Sequence, residues 1–115
     1  MREKIRNKNR LEHIVESISN LYEFTDGLTF DDYLANKILK FAIIKNLEII
    51  GEAAYMLSLD FKEQHKEVEW RDISDMRHVL VHGYYQISDE IVWQVIVNDL
   101  KPLEIQIKSY LKDME

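Results

Sequence analysis

From Leu11 to Leu57 apolar residues return every three or four positions, and the only proline of the chain, Pro102, lies far beyond them. That spacing lays a stripe along a helix, where a half-buried strand would alternate at every second residue. Leu11, Ile14, Ile18 and Leu21 predict a first helix over roughly 8–25, followed by turn chemistry at Thr25-Asp26-Gly27, with Thr29 or Asp31 to cap the next start. Leu34, Ile38, Phe41, Ile43, Leu47, Ile50, Ala54 and Leu57 predict a second helix over roughly 31–57, the longest of the chain.

Residues 58–69 lose the pattern and collect Asp60, Lys62, Glu63, Lys66 and Glu67, which predicts a solvated connection with about one helical turn. A third helix is expected over roughly 70–82, with Gly83 at the place where helices commonly end left-handed. Ser88 followed by Asp89 and Glu90 starts a last helix, since the hydroxyl caps free amides and the acids suit the positive end of the dipole. It runs through Trp93, Ile96, Leu100, Leu103, Ile107 and Tyr110, although Val92, Val95 and Val97 are weak helix formers and Pro102 would kink an interior. The expected fold is all-α, an up-down four-helix bundle in a single domain over 1–115. The second helix is apolar on its other face too, at Ala42, Ile49, Ala53 and Met56, which predicts either a homodimer seam or a deeply buried central helix.

No cysteine is present, so no disulfide or thiolate cage holds the fold, and a cytoplasmic setting is expected. No apolar run approaches the roughly 18 residues of a membrane span, and Met1–Arg6 has no apolar stretch behind its charges. A formal net charge of -6 argues against coating nucleic acid without regard to sequence, which rests on many Lys and Arg. Locally the balance differs: between Arg71 and Tyr85, Arg71 and Arg77 with His78 and His82 stand against Asp72 and Asp75.

Arg77 and His82 suit phosphodiester cleavage. An imidazole moves protons near neutral pH, and a guanidinium fork stabilises charge on a phosphoryl centre. RNA brings its own nucleophile, the 2′-hydroxyl, so neither cofactor nor metal is required and DNA is not an expected substrate. On a continuous helix the two residues stand about 140° apart. A helix ending at Gly83 would let Arg77, His82 and Tyr84 converge on one groove. The bland alternative is that Arg77 pairs with Glu52 or Asp75 and that His82 caps carbonyls.

His78 and His82 have the i, i+4 spacing of a zinc pair, but Val79 stands where a metalloprotease helix carries Glu. His13 and His65 are lone histidines in polar surroundings with no assigned chemistry. Gly51 inside the second helix points to tight packing, and Glu52 amid Ile49, Ile50, Ala53 and Ala54 needs a cation if buried, with Arg77 the candidate. Trp70, Trp93, Tyr33 and Phe41 read as core aromatics.

Ile43-Ile44-Lys45-Asn46-Leu47-Glu48-Ile49-Ile50-Gly51-Glu52-Ala53, Trp70, Met76-Arg77-His78-Val79-Leu80-Val81-His82-Gly83-Tyr84, and Ile87-Ser88-Asp89 with Trp93, taken in order, closely resemble the HEPN-domain toxins of the HepT type. The resemblance covers nearly the whole chain. It implies a dimeric four-helix bundle in which Arg77 and His82 of each subunit line a composite cleft that cuts RNA without metal. His78 stands where relatives often carry a small polar residue and would assist or orient.

The resemblance also implies a partner, a nucleotidyltransferase antitoxin that transfers AMP from ATP onto Tyr84; Tyr85 is a neighbouring phenol that could compete. A phosphate beside Arg77 and His82 would occupy the place of the RNA backbone and add negative charge there. Lys45 stands where relatives commonly have Arg, and Glu69 replaces a proline often found before Trp70. A different class of function stays open beside this one: a non-catalytic helical partner that binds nucleotide or docks the nucleotidyltransferase.

Overall fold

A computed structural model describes residues 2–82 and 87–115, and at Val81 and His82 the backbone alone. In chain order the elements are α1 (Arg2–Thr25), α2 (Phe30–Ala35), α3 (Lys37–Met56), α4 (Leu59–Gln64), α5 (Trp70–His82), α6 (Asp89–Gln94), a π-helical turn (Val95–Asp99) and α7 (Leu100–Asp113). The described residues are all-helical, without a strand, as the three-four periodicity demands. No helix among them is long and apolar enough to cross a membrane.

α1 begins well before the expected residue 8, because Arg, Glu and Lys are good helix formers and Glu3 favours the dipole of the first turn. Asn7, buried on this added stretch, donates from Nδ2 to Ser58 Oγ at 3.0 Å and accepts from the Ser58 amide at 3.0 Å. Ser58 in turn caps α4. The connection expected over 58–69 therefore contains a capped helix with Phe61 buried, where one turn was expected.

The single helix expected over 31–57 is two. Thr29 and Asp32 close a capping box on α2, and the chain then turns at Asn36 (φ -118, ψ 98), whose side chain caps α3 by accepting from the Leu39 amide. The last helix is likewise divided. The Leu100 amide bonds the Val95 carbonyl, one residue wider than an α-helical step. Pro102 has no amide for the Asn98 carbonyl and its ring crowds that carbonyl, so the wider turn absorbs what would otherwise be a kink.

α3 is the central element, packed on α1 along one side and α5 along another, while α7 closes on α1. Leu11, Ile14, Ile18, Leu21, Ile43, Leu47, Ile50, Leu100 and Ile107 are fully buried between them, each aliphatic side chain contributing about 1.5–3 kcal/mol. This central position accounts for most of the second apolar face of α3: Ala53 is buried, Ala42 and Ile49 are half-buried, and Met56 is exposed. Of the aromatics, Tyr33 and Trp70 are core residues and Trp93 packs partly buried on Tyr33, ring centres 5.5 Å apart. Phe41 is not a core residue, with 45% of its surface exposed, because it precedes Ile43 by two positions and so points about 200° away from it round α3.

Candidate functional site

α5 is fixed at its first residue. Trp70 is buried, its indole Nε1 donates to the His65 carbonyl at 2.8 Å, and its ring meets Phe61 and Tyr110. His65, read from the sequence as a lone histidine in polar surroundings, belongs to this cluster: it stacks on Phe61 at 4.1 Å and meets the Tyr110 ring edge-on at 4.6 Å. From this anchor Leu80 is buried, with Ile73 and Met76 packed against the core, and Arg77 comes to rest on α3.

Three residues of α3 place Arg77. At Gly51 a β-carbon would lie 2.2 Å from Arg77 Cβ and 3.0 Å from its Cα, so the two helices touch at a point where only hydrogen fits. The glycine expected from sequence to serve packing serves it directly behind the motif arginine. Glu52 Oε2 receives Arg77 Nε at 2.5 Å. Tyr55 sets its ring 5.8 Å from the guanidinium carbon. Glu52 is not buried: its side chain is 49% exposed. The pair therefore contributes at most about 1 kcal/mol to stability and acts chiefly on the direction of the guanidinium.

His78 follows on the exposed side of α5. α5 stays helical through position 82, so positions 77 and 82 stand about 140° apart round one axis. Gly83, Tyr84 and Tyr85 lie outside the described residues, as does the His82 side chain. The structure thus brings together Arg77 and Glu52, leaves His78 at the next position of α5 on its exposed side, and describes the backbone at His82.

A groove of about 490 Å³ runs from Arg77 across α3 to α1, lined by Arg10, His13, Lys45, Glu48, Glu52 and Arg77 among others. Lys45 Nζ lies 3.7 Å from Glu48. Arg10 and His13 drew no function from the sequence, yet each sits one position before a residue of the buried stripe, Leu11 and Ile14. Polar residues bordering an apolar stripe lie at the edge of the helix contact, and this border was the signal to follow. A second cavity of about 770 Å³, between α3, α5 and the α6–α7 segment, has mainly apolar walls and an acidic rim at Glu67, Glu69, Asp72 and Asp99. That rim repels phosphate.

An all-helical protein whose central helix presents an arginine of an R-x4-H helix to a cation-rich groove is the class defined so far. The chain belongs to the HepT-like ribonuclease family, whose model matches residues 14–110. It is similar to the probable ribonuclease HepT of Thermococcus cleftensis, 39% identical over 105 residues that cover 91% of this chain and 96% of the relative. A provisionally named RNase of Caldanaerobacter subterraneus subsp. tengcongensis is 37% identical over 102 residues, 89% of this chain and 91% of the relative. Another, of Methanocaldococcus jannaschii, is 34% identical over 105 residues, covering 91% and 87%. No solved structure matches the chain.

Proposed function

We propose that this chain is a metal-independent endoribonuclease, the toxin of a toxin-antitoxin pair, built as a single up-down four-helix HEPN domain that works as a homodimer. The observation that carries the reading is the placement of Arg77: a glycine contact, a carboxylate and an aromatic ring of α3 hold one guanidinium at a groove rich in cations. Such fixed positive charge is what a phosphoryl transition state needs. In the reaction the RNA 2′-oxygen bonds to the adjacent phosphorus and the bond from phosphorus to the 5′-oxygen breaks. The 2′-hydroxyl proton leaves to a base and a proton reaches the departing oxygen, leaving a cyclic phosphate and a 5′-hydroxyl end.

His82 moves these protons as general acid or base, Arg77 stabilises the pentacoordinate phosphorus, and His78 orients or assists. Glu52 supports Arg77. The separation of about 140° between positions 77 and 82 is resolved by a cleft between two copies of α5, where Arg77 of one subunit faces His82 of the other. Phe41, Tyr55, Met56 and Val79 remain exposed apolar surface of α3 and α5 that such an assembly would cover. Tyr84 is the acceptor of AMP from a nucleotidyltransferase antitoxin, and the added phosphate competes with RNA for Arg77.

The test is incubation of the purified chain with total RNA and tRNA in EDTA, beside folded Arg77→Ala and His82→Ala variants. Cleavage by the parent alone is expected. Cleavage by His82→Ala at the parental rate, or none by the parent, overturns the reading, and the latter outcome favours a non-catalytic partner of the nucleotidyltransferase.

A further inference from the structure

The chain carries a formal net charge of -6, yet the groove beside Arg77 gathers Arg10, Lys45 and Arg77, with His13 at its edge, against only Glu48 and Glu52. Glu52 takes Arg77 and Glu48 lies beside Lys45. Arg10 enters no ion pair among the described residues, and its Nε is buried there without a hydrogen-bond partner. A desolvated guanidinium nitrogen is costly to hold in this way, and an anion at the accessible part of the same group, which Arg10 as a half-buried residue keeps, would offset that cost through its charge. Leu11 and Ile14, fully buried one and four positions after Arg10, fix that part of α1 against α3, so the Arg10 backbone is set in the groove wall before any ligand arrives.

We propose that the groove is a second phosphate subsite, in which Arg10 and Lys45 hold a backbone phosphate of RNA flanking the one that Arg77 takes. It rests on the reading of Arg77 as the ligand of the scissile phosphate. The volume of about 490 Å³ is of the size that small-ligand sites have. Arg10 offers a planar fork to two phosphate oxygens and Lys45 a point charge. A free nucleotide presents the same phosphate chemistry. The backbone of RNA is the better occupant because the groove is continuous with Arg77, and an acidic protein holds a polyanion only through local contacts of this kind.

The experiment measures binding of a 2′-O-methyl RNA oligonucleotide, which lacks the attacking hydroxyl, by fluorescence anisotropy over a range of salt. Parent, Arg10→Gln, Lys45→Gln and the control Lys112→Gln are compared, with cleavage kinetics of unmodified RNA alongside. Arg10→Gln and Lys45→Gln are each expected to weaken binding about five- to tenfold at low salt and to reduce the salt slope by about 0.7. Each should raise KM with kcat nearly unchanged, because a flanking phosphate is held alike before and during reaction. Lys112→Gln, on the exposed end of α7, should match the parent.

Parental affinity and slope in both groove variants overturn the subsite, while cleavage by the parent then leaves the ribonuclease reading intact. Binding by a parent that cuts nothing, lost in the groove variants, supports the subsite and sinks the ribonuclease reading instead. If AMP or inorganic phosphate binds through Arg10 while RNA binding ignores Arg10→Gln, the pocket serves a nucleotide and the proposal fails. Should Arg10→Gln not fold, Lys45→Gln, changed at an exposed side chain, carries the same test.

Discussion

Gly51 decides where Arg77 stands, because the approach of α5 to α3 leaves no room for even one methyl group. Gly51→Ala must push α5 outward. Overpacking of this kind costs about 1–3 kcal/mol, visible as a lower urea midpoint, and a misplacement near 1 Å at a catalytic group costs roughly 100-fold in rate. A folded Gly51→Ala protein cleaving RNA at the parental rate would show that Arg77 needs no such fixing. Glu52→Gln keeps a polar partner but loses the charge. With the pair half in solvent, its stability should change by less than about 1 kcal/mol while turnover still falls.

Tyr110 gives a pH signature of the aromatic cluster at the other end of α5. Burial first, and then the hydrogen bond it donates to Glu67 at 2.6 Å, push its hydroxyl up to about 12. The fold thus holds a proton that the unfolded chain releases near pH 10, so this stability is complete below about 10 and is lost as the pH rises toward 12. Denaturation by urea between about pH 9 and 12 should show the decline, and Tyr110→Phe should flatten it. Tyr33, raised by burial and then by Asp89, acts in the same direction.

At the scale of elements, Asp89 joins three helices: it accepts from the Tyr33 hydroxyl of α2 at 2.9 Å and from Lys40 Nζ of α3 at 3.1 Å, from the first turn of α6. Asp89→Ala removes the acceptor of a fully buried tyrosine, and an orphaned buried donor costs about 1–3 kcal/mol. It should also bring the Tyr33 hydroxyl closer to its ordinary value, though burial keeps it raised; ultraviolet titration of the phenols reads this. An unchanged titration would mean that Asp89 does not hold Tyr33.

What the sequence made legible follows from physics that is local. α5 occupies the expected range because Trp70 and the apolar spacing after it mark one uninterrupted helix. The turn at Asn36 was hidden because Leu34, Ile38 and Phe41 keep the three-four step across it in the sequence, although the folded chain leaves all three exposed. The π-helical turn was hidden because Ile96, Leu100 and Ile107 keep the helical step through it and all reach the core. Gly51 was readable as a packing residue, since a mid-helix glycine costs stability unless something approaches closely. Arg10 was readable only as a border residue of the α1 stripe; that the border opens on a groove depends on α3 lying beside it.

At the scale of the whole molecule, the reading of this chain as a dimeric enzyme turns on one geometric fact. α5 is helical from Trp70 through His82, so positions 77 and 82 of one copy stand about 140° apart round its axis. If Arg77 of one subunit works with His82 of the other, each dimer holds two sites, and each site draws one residue from each chain. Mixing inactive Arg77→Ala with inactive His82→Ala then forms heterodimers in which one site carries both defects and the other carries none. With free exchange of subunits about a quarter of the parental activity should return, as half of the dimers are mixed and each has one intact site. Sedimentation at micromolar concentration should show the dimer in parent and variants alike. Activity that stays at the level of the separate variants, despite proven exchange, would place Arg77 and His82 of the same chain in one site and remove the crossed cleft.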